Sequence, residues 1–163
     1  MPDGFSISID SKSLEDKLKS LGQDVQDRII NTALREGAKV YQAAVSEAAP
    51  ERLDDETSGT ALPPGALKSD VIIQKVPKSA EYAVRFGRLT AHVAKWVDEG
   101  HRLVVGGRSK LNKKTGQSTG NGREIGTVPA HPFFREAFET ASSEAEKAIE
   151  TTLTEAVNRA WNK

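Results

Sequence analysis

Arg102, Arg108, Lys110, Lys113, Lys114 and Arg123 all fall between Gly100 and Glu124, with no Asp or Glu among them. Cations massed in this way can neutralise nucleic acid phosphates or meet an acidic protein neighbour. The same pattern also suits a solvated surface loop. No aromatic residue is interleaved with them, so base stacking is not implied, and any nucleic acid binding would be sequence-independent and salt-sensitive. The last part of the chain leans the other way, with Glu136, Glu139, Glu144, Glu146, Glu150 and Glu155, so the two stretches are candidate complementary surfaces.

Residues able to do covalent or metal chemistry are scattered rather than grouped. GQSTGNG, residues 116–122, lacks the Lys-Ser/Thr that follows the last glycine of a P-loop. His92, His101 and His131 lack the i, i+4 spacing of a helical metal pair, and the chain has no cysteine to join them. Asp70, Glu81 and Lys75 would suit a metal-dependent nuclease only if the fold gathers them. No serine sits on a GxSxG turn. The sequence thus singles out no catalytic, cofactor-binding or metal-binding residue, and the expectation is a protein that is not an enzyme.

The 163 residues are within the range of one domain, expected over 1–163, with long loops at about 49–65 and 106–122. Lys plus Arg and Asp plus Glu stand at 23 each, so no global field favours nucleic acid or an anionic membrane, and an electrostatic partner must be read by a local patch. The absence of cysteine excludes a disulfide framework and fits assembly in a reducing cytosol. MPDGFSISID lacks the features of a secretory signal, and no window approaches the roughly 18 apolar residues that span a bilayer, so a soluble protein without a membrane partner is expected. With aromatic content of only 6%, the core should be thin and completed by contacts with something else.

The elements that would position these residues follow from periodicity. Phe5, Ile7 and Ile9 alternate as a half-buried strand does. Leu14, Leu18 and Leu21 mark a short helix ended by Gly22, and Asp24 would cap a second one carrying Ile30, Leu34, Gly37, Tyr41, Val45 and Ala48 until Pro50. Ala66 to Val76 and Ala80 to Phe86 read as a hairpin turning at Lys78 and Ser79. Val93, Trp96 and Val97 give a short helix stopped by Gly100, and strand stubs follow at Arg102 to Val105 and Arg123 to Val128. Pro129 and Pro132 stiffen the entry to a final amphipathic helix, with Pro132 at its first position. At about 28 residues that helix would run roughly 42 Å, comparable with the ~40 Å diameter of a compact domain of this size. The expected class is α+β: an antiparallel sheet of four to five strands, with long helices at about 24–48 and 132–160 packed on one face.

Three segments taken in order resemble a known family. LREGAKVYQAAVSEAAP (34–50), PPGALKSDVII (63–73), and AKWVDEGHR (94–102) with VPAHPFFREAFE (128–139) are similar to tail-completion or head-tail joining proteins of long-tailed lambdoid-type bacteriophages and prophages. The most specific pieces are WVDEG, with Trp96, Glu99 and Gly100, and PAHPFFREA, with Pro129, Pro132, Phe133 and Phe134 and with Phe138 just beyond. The long basic insertion before Glu124 departs from shorter members.

The resemblance implies a structural protein of the virion neck or upper tail, assembled in the bacterial cytoplasm as a ring, sixfold to match tail symmetry. Its partners would be copies of itself, head-tail connector proteins, and tail tube or tail terminator proteins, with genomic DNA in the lumen a further candidate. Phe133, Phe134 and Phe138 would anchor the last helix on the sheet, Trp96 would join the same core, and the basic residues would face the lumen or a neighbour. The rival reading is a small sequence-independent DNA-binding module whose working surface is the basic loop 102–123.

Overall fold

The computed structural model describes residues 12–51, 62–105 and 123–162. Two long helices form its spine, α2 over Gln23–Ala48 and α5 over Phe133–Trp161. On α5 the buried residues are Phe133, Ala137, Ala141, Ala145, Ile149, Leu153 and Val157, every fourth position. With 3.6 residues per turn, a four-residue step advances the stripe by about 40° each time, so it winds around the helix. Ile29, Ala33, Gly37 and Val45 follow the same step on α2, continued by Ala49 at its C-cap, so both helices offer i±4 ridges. They run antiparallel. Val45 and Ala49 cluster with Phe133 and Ala137, while Ile29 and Ala33 cluster with Ile149, Leu153 and Val157.

Small residues let the two backbones approach closely. A Cβ on Gly37 would lie 2.5 Å from Cγ1 of Ile149, so the isoleucine fills the gap that the glycine leaves. Mid-helix glycine costs about 1 kcal/mol relative to alanine, and this seating offsets it. A short helix, α1 over Lys12–Ser20, adds Leu14 to the far end of the same core. Where the sequence suggested an Asp24 cap, α2 begins one residue earlier, at Gln23. Gly22 is its N-cap, its carbonyl accepting from the amides of Val25 at 2.9 Å and Gln26 at 3.0 Å. Asp24 sits in the first turn, complementing the helix dipole.

The strand expected from Ala66 onward is divided. Gly65, at φ 73°, turns the chain into one helical turn, α3 over Ala66–Ser69, and the Ser69 amide closes on the Gly65 carbonyl at 3.1 Å. With those polar groups satisfied locally, Leu67 is buried and pairing starts only at Val71. β1, Val71–Lys75, then pairs antiparallel with β2, Tyr82–Phe86, so that Val71 faces Phe86 and Lys75 faces Tyr82. α2 grips this hairpin: Gln42 Nε2 donates to the Val71 carbonyl at 2.6 Å, and Ser46 Oγ donates to that of Lys68 at 2.7 Å.

β2 leads into α4, Ala91–Glu99, which is followed by β3, His101–Val105, and β4, Arg123–Val128. The class is α+β, but the single sheet of four to five strands is not formed. The described residues hold two separate two-stranded antiparallel sheets, β1–β2 and β3–β4. The period-two pattern reveals strands but not which edges meet, and α4 separates the hairpins along the chain. The strand expected at Phe5 to Ile9 lies outside the described residues, as do 52–61 and 106–122 of the expected loops. α5 begins at Phe133, not Pro132: the proline has ψ 50° and serves as N-cap, its carbonyl accepting from the Glu136 amide at 3.2 Å.

Candidate functional site

Two segments far apart in sequence, WVDEGH (96–101) and VPAHPFF (128–134), are stitched into one junction. The His131 amide donates to the Val97 carbonyl at 2.9 Å. Oδ1 of Asp98 accepts from the Phe134 amide at 3.1 Å, so a residue of α4 caps α5, whose own N-cap proline has no polar side chain to offer. Gly100 has φ 75° and ψ 165°, and its missing Cβ leaves room for the backbone of 128–130. His101 and Val128 face each other as the first rung of the β3–β4 ribbon.

Asp98→Ala should therefore cost about 1 kcal/mol and lower the thermal midpoint by about 3 °C. Asp98→Asn, which keeps an acceptor oxygen, should lose less than half of that. Thermal unfolding followed by circular dichroism makes the comparison.

From this base the ribbon extends with little cover. Leu103 is 41% exposed and Ile125 52% exposed. Ile125 lies in a bulge, between the rungs Leu103 to Gly126 and Val104 to Glu124, where an unpaired residue re-aims its side chain. An isolated two-stranded ribbon is marginal in water, and one that also shows branched apolar side chains is suited to being covered. At its base Trp96 is 49% exposed, held edge-on by His92 at 5.3 Å and tilted against His101 at 5.7 Å between ring centroids.

The residues singled out in the sequence divide between this junction and elsewhere. Phe133 and Phe134 reach Phe86 of β2, each at 5.9 Å between ring centroids. Phe138 instead stacks on Tyr41 of α2 at 4.5 Å. Trp96 does not enter the core as expected: its place is taken by Ala94, flanked by Val93 and Val97, because the helical face that carries Trp96 turns toward the ribbon base. Glu99 pairs with Lys95 at 3.8 Å on the surface, and Pro129 and Pro132 are exposed. Arg102 is exposed and lies 3.5 Å from Glu124 across the ribbon, a pair of small energetic weight. Arg123 opens β4. Arg108, Lys110, Lys113 and Lys114 lie outside the described residues.

The family model of HK97-gp10-like bacteriophage tail components matches residues 12–119, more than half of the 163. The chain belongs to this family. No curated protein and no solved structure matches it. In this tail component the matched stretch includes WVDEG and the start of the ribbon but ends before VPAHPFF, so the junction joins a segment inside the match to one beyond it.

The nuclease-like trio does not assemble in the tail component. Asp70 precedes β1 and accepts from Thr90 Oγ1 at 2.7 Å, whereas Lys75 and Glu81 flank the opposite end of the hairpin. Among the described residues no His, Asp and Glu group is arranged to hold a metal, and no helix is long and apolar enough to cross a membrane. Sequence reading missed the Asp98 cap because its partner is 36 residues away. It also missed the buried Thr90, whose one signal was its place directly before α4.

Proposed function

We propose that this protein is a non-enzymatic structural part of the phage neck or upper tail, a single domain that assembles as a ring, sixfold to match the tail, and joins the tail to the head connector. The observation that carries the proposal is the exposure of Leu103 and Ile125 on the β3–β4 ribbon, next to the junction of α4 and α5. Membership of a tail-component family supports a virion neighbour as the surface that covers it. The ribbon's cations, Arg102 and Arg123, and those of Arg108, Lys110, Lys113 and Lys114 add charge for an acidic neighbour or for DNA in the lumen.

The test is a phage carrying Leu103→Asp and Ile125→Asp together. Purified variant protein should keep the wild-type circular dichroism spectrum, because both side chains are already exposed, while infected cells accumulate filled heads and unattached tails. Normal yields of infectious particles would remove the ribbon from the joining role. Charge reversal at Lys110, Lys113 and Lys114 separates the rival: lost duplex binding with normal joining would mark a DNA-binding module.

A further inference from the structure

Charge is balanced over the whole chain, yet one groove carries a single sign. A groove of about 580 Å³ between α2 and the β1–β2 hairpin is lined by Arg35, Lys39 and Lys75 over Ile72, Ile73 and Tyr82, with no acidic residue. Lys39 is engaged by Glu36 at 2.7 Å, while Arg35 and Lys75 make no ion pair among the described residues. On α5, Glu139, Glu146 and Glu150 are exposed and likewise unpaired among the described residues. Their spacing of seven and then four places them within about 40° of one line along the helix.

No residue of α5 lines the groove. Burial, and then the Glu146 carboxylate, raises the Tyr41 phenol above the usual tyrosine range. Gln42, which also lines the groove, is turned about 100° from Tyr41 around α2. Among the described residues no ion pair joins the two charged surfaces within one copy. Their pitch matches, however: Arg35 and Lys39 are one turn apart, as are Glu146 and Glu150, each pair about 6 Å along its axis.

We propose that the Arg35, Lys39 and Lys75 groove receives the Glu139, Glu146 and Glu150 line of a second copy of this chain. The contact joins unlike surfaces, so each copy keeps one free groove and one free line, and the series closes into a ring where the rotation permits. This rests on the ring reading above and supplies its copy-to-copy contact. A nucleic acid duplex would use only the cations, whereas a second copy uses both surfaces. Such exposed pairs set register and association rate more than bulk affinity, so the contact should weaken as salt rises.

The experiment compares full-length wild type with Arg35→Glu/Lys75→Glu, with Glu146→Lys/Glu150→Lys, and with all four changes in one chain. Sedimentation velocity and native mass spectrometry are run at about 0.05 and about 0.5 M salt. All four side chains are exposed, and circular dichroism confirms that each variant is folded. Wild type should assemble at low salt, and each two-site reversal should weaken assembly by about tenfold or more. The four-site chain, and an equimolar mixture of the two reversed variants, should return to within about threefold of wild type, because opposite charges again face each other.

Wild type that stays monomeric at low salt, reversals without effect, or a four-site chain that stays dissociated would each overturn the contact. So would loss of duplex binding by Arg35→Glu/Lys75→Glu with unchanged assembly, which would give the groove to DNA. Mass spectrometry of purified particles checks the virion reading separately. A chain present in particles but indifferent to the reversals removes only this contact, and a chain absent from particles removes the larger reading.

Discussion

Gly100→Ala should lower the thermal midpoint by about 10 °C, equivalent to a loss of about 3 to 4 kcal/mol. Two costs add. At φ 75° and ψ 165° the residue lies in a region that is essentially reserved for glycine, so any side chain there strains the backbone. The new Cβ would also lie 2.8 Å from both the Val128 carbonyl oxygen and the Ala130 amide nitrogen, and backbone atoms cannot swing aside as a side-chain tip can. The damage should concentrate at the junction. Amide exchange ought to accelerate at His131 and Phe134, whose hydrogen bonds hold the two segments together, before it accelerates in the middle of α2. A midpoint within about 2 °C of wild type would mean that the junction yields freely.

Phe133→Ala should be comparably severe, at about 4 kcal/mol. Phe133 is 1% exposed and heads the largest fully buried side chains, meeting Phe86 edge-on at a centroid distance of 5.9 Å. Its removal would open a cavity where β2, α4 and α5 converge, a place that the stiff junction holds open rather than letting collapse. The half-buried neighbours give the contrast. Phe134→Ala and Phe138→Ala should cost about half as much, because solvent already reaches them and less area is lost on truncation. Urea unfolding followed by circular dichroism ranks the three, and a Phe133→Ala value at or below that of Phe134→Ala would contradict this account.

What the sequence disclosed depended on how far apart the interacting residues lie. α4 and β4 could be placed almost to the residue, because turn glycines, prolines and short-range periodicity bound them on both sides. The division of Ala66 to Val76 into a helical turn and a strand escaped notice, since a left-handed Gly65 decides it and composition alone does not fix that angle. Sheet architecture escaped for a different reason: alternation marks a face, whereas pairing is settled by edges brought together over tens of residues. Trp96 illustrates the limit for candidate interaction residues. Its spacing with Val93 and Val97 suits a buried stripe, yet it is half exposed beside His92 and His101 while Ala94 takes the buried place. The acidic line on α5 was visible only as composition, and the basic groove was not visible at all, because its cations come from α2 and from a strand that pairing brings beside it.

The stitching around Gly100 also has a mechanical consequence. Because the first ribbon rung and the His131 to Val97 hydrogen bond lie on either side of the glycine, the start of α5 is tied to α4 at more than one point. Asp98 adds a third tie, from α4 to the first turn of α5, so displacing the ribbon base has to break contacts to both helices.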